Sequence, residues 1–171
     1  MQKDIDIIIY GATGFTGQLC VKYFKSLNTS VKWAIAGRDK EKLQQVAEDN
    51  SVDVEILIAD SDNEAELDVL TSRAKVILST TGPFHRYGSK LVASCIMNSS
   101  HYVDITGENF WVKGIIAKHH EEASAKGVRI IPSCGYDSIP SDLGVFYAAK
   151  ALNKPIKRIE SFHSWKGGAS G

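Results

Sequence analysis

The sequence predicts an α/β fold in which helices wind over both faces of a mostly parallel sheet. Three observations predict it. Short runs of branched apolar residues alternate along the chain with longer stretches of helical periodicity. The first run, Ile5 to Tyr10, flows into Gly11-Ala12-Thr13-Gly14-Phe15-Thr16-Gly17 and then into a helical pattern ending near Leu27. The fourth run, Ala74 to Leu78, ends in the small polar residues Ser79, Thr80, Thr81 and Gly82, where a doubly wound sheet reverses its strand order and opens a ligand crevice. Strand, glycine-rich turn and helix together form the opening unit of a dinucleotide-binding Rossmann domain.

The chemistry of that opening unit explains its residues. A diphosphate is anionic and is held by backbone N–H groups at a helix N-terminus. Gly11 lets the chain turn out of the strand, Gly14 lets backbone approach phosphate closely, and Gly17 lets the helix pack tightly on the strand. Thr13 and Thr16 add hydroxyls, and the Phe15 amide belongs to the same cradle. Leu19, Cys20, Tyr23, Phe24 and Leu27 are expected to form the inward face of the helix.

The second strand is expected over Val31 to Ala36, followed by Gly37-Arg38-Asp39. About twenty residues past the last glycine, an NAD-type fold places an acid for the ribose 2′-hydroxyl. Here glycine makes room and the Arg38 guanidinium suits a 2′-phosphate. NADP is therefore favoured over NAD, with Asp39 as a competing acceptor for a ribose hydroxyl. A helix is expected over Lys40 to Asn50 and a third strand over Val54 to Ala59. Asp60 has two readings: an adenine contact or, with Ser61 and Asp62, a cap for the next helix, whose inward residues are Ala65, Leu67 and Leu70.

After the fourth strand, Thr80, Thr81 and Gly82 suit the diphosphate or nicotinamide ribose. Pro83 and Phe84 are expected to wall the nicotinamide, and His85, Arg86 and Tyr87 to open toward substrate. The next helix is placed over Gly88 to Ser99. A strand over His101 to Ile105 follows, with Thr106-Gly107-Glu108 at its tip, then a long helix over Asn109 to Lys126 in which Trp111, Ile115, Ile116 and Ala123 repeat at helical spacing. His119-His120-Glu121-Glu122 reads as its solvated face. A sixth strand spans Val128 to Ile131, and a helix starts at Pro140 and runs to about Leu152. Residues 1–153 are thus expected to form the dinucleotide-binding domain. Residues 154–171 are expected to start a second domain or its linker, with Ile156, Ile159, Phe162 and Trp165 suggesting a further strand.

Composition narrows the function. At 171 residues with 43% hydrophobic and 23% charged residues, the chain reads as a soluble globular protein of one domain or slightly more. Zero formal net charge gives no electrostatic case for nucleic acid or an anionic membrane. The N-terminal residues are not a signal peptide and their apolar run is too short to span a bilayer. Cys20, Cys95 and Cys134 are far apart and form no C-x-x-C, which fits a reducing, cytoplasmic setting and argues against disulfides or a zinc site. No metal site is expected. Tyr87 precedes Lys90, and Tyr147 precedes Lys150, by three positions, so the Tyr-x-x-x-Lys dyad of short-chain dehydrogenases is absent. Candidate proton donors at the cofactor end are His85, Tyr87, Asp104, Glu108, Cys134, Tyr136 and Asp137, with no diagnostic spacing among them.

Several of these motifs together resemble the saccharopine dehydrogenase-like oxidoreductases. They are the glycine-rich turn with Ala36-Gly37-Arg38, Gly82-Pro83-Phe84 with Tyr87-Gly88, His101 through Glu108, and Cys134 through Gly144. The resemblance spans nearly the whole chain and is most specific in its last two motifs; the mycobacterial trans-acting enoyl reductases look like close relatives. It implies an NADP-dependent oxidoreductase acting on a small-molecule or lipid-like substrate, with a second α+β domain that shapes the substrate site and often pairs subunits as a homodimer. On that reading the sequence is a truncated portion, inactive alone. A different reading, a non-catalytic NADP sensor or scaffold that also binds a protein partner, fits the absent dyad.

Overall fold

The computed structural model describes residues 3–152 and 154–164. These fall into two compact units, one ending at Cys134 and one beginning at Gly135. The first unit carries, in chain order, β1 (Ile5–Tyr10), α1 (Phe15–Ser26), β2 (Trp33–Gly37), α2 (Lys40–Asp49), β3 (Glu55–Ile58), α3 (Glu64–Arg73), β4 (Ala74–Ser79), α4 (Phe84–Met97), β5 (His101–Asp104), α5 (Asn109–Ala125) and β6 (Ile130–Ile131). All strand pairs are parallel, in the order β3-β2-β1-β4-β5-β6. The order reverses between β1 and β4, so a crevice opens beyond the carboxyl ends of those two strands. Register aligns those ends: Tyr10 lies opposite both Ala36 and Ser79, and Ser79 opposite Asp104.

Successive strand residues point to opposite faces, and the central strand feeds both. Ile8 and Tyr10 join the core beneath α3, α4 and α5, where Leu67, Leu91, Cys95 and Tyr102 are sealed from solvent. Ile9 joins the core beneath α1 and α2 with Val21, Ile35 and Leu43. On the first face, Gly88 of α4 lies so close to α5 that an added Cβ would sit 2.7 Å from the Trp111 ring. The Trp111 indole donates to Ser89 Oγ at 2.9 Å and packs on Phe84. This contact fixes the start of α4 beside the crevice.

Several expectations need correction. The inward residues of α1 are Gly17 and Val21, with Cys20 and Phe24 packed beside them, whereas Leu19, Tyr23 and Leu27 are exposed. The position of Gly17 against β1 sets that rotation, which apolar spacing alone does not show. The helix placed at Gly88 begins at Phe84, and Phe84 is buried against Trp111 instead of walling a ligand. On α5 it is His119 that is buried and Ile116 that is exposed, so the His-His-Glu-Glu stretch is not wholly solvated. The second strand begins at Trp33, after Val31 and Lys32, and takes in Gly37.

The second unit holds α6 (Ile139–Leu152), none of whose residues is buried. Its first turn is tied down by the Ser138 and Ile139 amides donating to the Gly135 carbonyl. The helix expected in the first domain thus belongs to the second unit. Ile156, Ile159 and Phe162, expected in a strand, lie in irregular chain; Trp165 and the glycine-serine run after it lie outside the described residues. No helix among the described residues is long and apolar enough to cross a membrane.

Gly88→Ala should lower stability by about 1–3 kcal/mol, the usual result of overpacking, read from the urea unfolding midpoint. Gly114→Ala, in α5 with nothing within 4 Å of the added Cβ, should leave stability unchanged or raise it by up to about 1 kcal/mol.

Candidate functional site: the crevice at the strand-order reversal

A crevice of about 390 Å³ lies where the strand order reverses. One wall is the turn after β1, with Gly11, Thr13 and Gly14; another is Gly37 and Arg38 after β2; the third is Thr80 through Pro83 after β4. Eight of the sequence-predicted residues meet here: Gly11, Thr13, Gly14, Arg38, Thr80, Thr81, Gly82 and Pro83. Phe15, Thr16, Gly17 and Asp60 do not line it. Phe15 is two-thirds exposed at the start of α1, and Gly17 is buried beneath the turn. Tyr10, Ser61 and Tyr87 line the crevice as well. Tyr10 reads in sequence as a core residue, and its place before Gly11 is the only signal of its second role. Its hydroxyl donates to the Ala59 carbonyl at 3.2 Å; burial first, then the charge of Asp60, push the phenol upward and keep it neutral.

The turn is built by close approach. Gly11 takes φ +86°, a left-handed conformation that favours glycine. A Cβ on Gly17 would stand 2.2 Å from the Gly11 carbonyl oxygen, so only glycine lets α1 start this near β1. The Gly14 amide donates to Gly11 O at 3.0 Å and closes the turn. Gly14 is also the N-cap of α1 and supplies no side-chain acceptor, and the first turn carries no acid. The next three helices differ. Asp39 accepts the Lys42 amide to cap α2, and Asn63 accepts the Glu66 amide to cap α3. Glu108, reaching over from the loop after β5, accepts the Phe84 and His85 amides of α4 at 2.7 and 2.9 Å. Among α1 to α4, only α1 leaves its N-terminal amides without a carboxylate or amide oxygen, and it points into the crevice.

These caps bear on the roles of Asp39 and Asp60. The Asp39 carboxylate is committed to α2 and to the Lys42 ammonium at 3.1 Å, and these contacts hold it below the ordinary carboxylate range. Asp60 accepts the Asp62 amide at 2.9 Å in a local turn, while Asn63, not Asp60, caps α3. Arg38 is exposed at the crevice and pairs with no carboxylate among the described residues.

At the other side, Thr80 Oγ1 donates to the Tyr10 and Gly11 carbonyls at 3.2 and 3.1 Å and ties β4 to the turn. Thr81 Oγ1 is buried without a hydrogen-bond partner among the described residues. A Cβ on Gly11 would fall 2.3 Å from it. A buried hydroxyl without a partner costs on the order of 1–3 kcal/mol, so this atom suits a polar ligand arriving in the crevice.

Next to this wall, Glu108 also meets His85 Nδ1 at 2.6 Å. Desolvation alone would raise the Glu108 carboxyl, but the His85 amide and ring and the Phe84 amide together hold it below its usual range. Asp104, at the tip of β5, is sealed from solvent. It accepts the Tyr102 hydroxyl at 2.8 Å and the Thr106 and Ser133 amides at 3.0 and 2.9 Å. Burial nevertheless raises its carboxyl. The same burial, with Asp104 nearby, raises the Cys134 thiol. Cys134 donates to the Ile131 carbonyl and is poorly set up as a nucleophile. Tyr136 and Asp137 belong to the second unit. Among the described residues no group of His, Cys, Asp or Glu is arranged to hold a metal. A larger groove of about 430 Å³ between α5 and β6 is mainly apolar, with His119, His120 and Arg129 also in its lining.

Residues 7–131 match the family model of the saccharopine dehydrogenase NADP-binding domain. The chain belongs to this family. The saccharopine dehydrogenase-like oxidoreductase of Mus musculus is 38% identical over 185 residues, covering 99% of this chain and 43% of the relative. The trans-acting enoyl reductase of Mycobacterium leprae (strain TN) is 40% identical over 148 residues, covering 85% of this chain and 35% of that protein. The chain therefore spans less than half the length of these curated relatives. In fold it is similar to apo saccharopine dehydrogenase (L-Glu forming) from Saccharomyces cerevisiae, with TM-score 0.67 and 17% identity over 87% of this chain and 31% of that one. It also resembles the triphenylmethane reductase of Citrobacter sp. solved with NADP(H), with TM-score 0.51 and 20% identity over 58% of this chain and 36% of that one. NADP, the dinucleotide expected from Gly37 and Arg38, is the one that this domain family is described as binding. The uncapped α1 amides and the unpartnered Thr81 hydroxyl fit such a ligand.

The raised Asp104 carboxyl makes a pH prediction. Its contribution to stability is fully present below the unfolded value of about 4 and is lost as pH rises through the higher folded value. Asp104→Asn keeps an oxygen for the Thr106 and Ser133 amides and removes the charge. It should equal or exceed the native protein in stability at neutral pH and flatten the decline above about pH 4. Asp104→Ala strands both amides and should cost about 2–4 kcal/mol. Urea unfolding across pH checks both.

Proposed function

We propose that this chain is the cofactor-binding portion of an NADP-dependent oxidoreductase. The observation that carries the reading is the single crevice that brings the uncapped N-terminus of α1, the unpaired Arg38 guanidinium and the unpartnered Thr81 hydroxyl to the point where strand order reverses. Bound NADP supplies or accepts a hydride. The amides at the start of α1 hold its diphosphate, with Thr13 beside them. The Arg38 guanidinium pairs with the 2′-phosphate, a charge-assisted contact that Asp39, held by α2, does not oppose. Thr81 supplies a hydrogen bond from within the protein, and Gly82 and Pro83 border the nicotinamide end. Protein groups beyond this crevice complete the substrate site, so the chain alone binds cofactor without turning over substrate.

Nicotinamide fluorescence titration tests this reading. NADPH should bind more tightly than NADH, and Arg38→Ala should weaken NADPH about tenfold to a hundredfold, equivalent to about 1.5–3 kcal/mol, while leaving NADH unchanged. Equal affinities for the two, insensitive to Arg38→Ala, would remove the assignment.

A further inference from the structure

Resting on that reading of the crevice, we infer that His85, clasped by Glu108, is the residue that exchanges a proton with substrate at the nicotinamide end. The adenosine side of the crevice is marked by Arg38 and the opposite side by Thr81 to Pro83. His85 lies two residues beyond Pro83, in the first turn of α4, next to the crevice wall but not among the residues that line it. Its Nδ1 is 2.6 Å from Glu108 Oε2, and its ring packs against Phe110 at 5.6 Å between centroids. Glu108 cannot easily turn away, because its two oxygens also hold the Phe84 and His85 amides. With Nδ1–H donated to the carboxylate, Nε2 is the atom left to do chemistry, and the side chain is 52% exposed. A carboxylate that fixes a histidine's tautomer and orientation stabilises the imidazolium that forms when Nε2 takes a proton.

The alternatives at the sheet edge are already occupied. Asp104 is sealed by three hydrogen bonds, the Cys134 thiol is raised, and the Tyr87 ring packs on the Arg86 guanidinium with no basic partner among the described residues. In the reductive direction, the imidazolium of His85 gives its Nε2 proton to the atom that receives the electron pair of the substrate's C=O or C=C bond. The other atom of that bond takes the hydride from the dihydronicotinamide. The ring returns to neutral with Nδ1–H still on Glu108, and oxidation runs the same exchange backwards.

Diethyl pyrocarbonate, which acylates a neutral imidazole nitrogen, tests the assignment by peptide mass spectrometry on this chain. NADPH should slow labelling of His85 about fivefold or more, whereas 2′-phospho-ADP-ribose, which lacks the nicotinamide, should change it by less than about twofold; exposed His120 should respond to neither. Glu108→Ala, with its fold checked by thermal melting, should shift the His85 ring away from the Nδ1–H tautomer, read from its nitrogen NMR shifts, by removing the acceptor that holds that proton. If NADPH binds by fluorescence and His85 labels at the same rate, or if both nucleotides protect it equally, the inference fails while the cofactor assignment stands. An unchanged tautomer in folded Glu108→Ala overturns the clasp. Absence of NADPH binding overturns both readings.

Discussion

The structure depends on one close approach, that of Gly17 to the carbonyl of Gly11. With a Cβ at Gly17 only 2.2 Å from that oxygen, any larger residue would force α1 away from the end of β1. The turn between them would then lose its shape, including the left-handed Gly11 and the hydrogen bond from Gly14. The same approach rotates α1 so that Val21 enters the core and Leu19 and Tyr23 stay outside. It also aims the first amides of the helix at the space beyond β1 and β4. A packing constraint thus becomes an electrostatic one: the positive end of a helix faces a gap that no side chain of α1 fills.

A second constraint works on the other wall. α4 needs its start held near the crevice, yet Pro83 offers no capping side chain. Glu108 supplies the cap from the loop after β5. The loop is itself anchored, because the Glu108 amide donates to Thr106 Oγ1, the Thr106 amide to Asp104, and Ser133 Oγ to the Thr106 carbonyl. Gly88 against Trp111 keeps the helix from drifting outward. Buried networks of this kind rigidify when every member is satisfied, and here the rigidity is delivered to Pro83 and His85.

The sheet was legible because β1, β2 and β4 are short, mostly buried apolar runs closed by glycine or small polar residues. The placement of the glycine turn and Arg38 at the crevice was legible because each directly follows a strand end in sequence. What was not legible depended on partners distant in sequence. The start of α4 at Phe84 rests on Glu108, twenty-four positions away, and without it Gly88 reads as the first helical residue. The pairing of His85 with Glu108 has the same origin. Burial of His119 and exposure of Ile116 reflect which side of α5 meets the sheet, and both residues satisfy a helical period equally well. The boundary at Cys134 was also invisible, since Pro140, Ser141 and Asp142 announce a helix without saying which unit it joins.

The carboxylates along this edge explain how it can accept a multiply charged anion. Asp39, Asp60, Asp104 and Glu108 all stand at or just past strand ends, and together they would repel a diphosphate. Each instead spends its charge on backbone N–H groups: Asp39 on the start of α2, Asp60 on Asp62, Asp104 on Thr106 and Ser133, and Glu108 on the start of α4. Their negative ends are turned into the protein's own turns and helix starts; at the helix starts the charges of Asp39 and Glu108 are stabilising, whereas the buried charge of Asp104 is not. Left facing the crevice are the uncapped amides of α1, the Arg38 guanidinium and neutral hydroxyls. The acids therefore shape the walls without charging them, and the N–H donors left free are those where α1 begins.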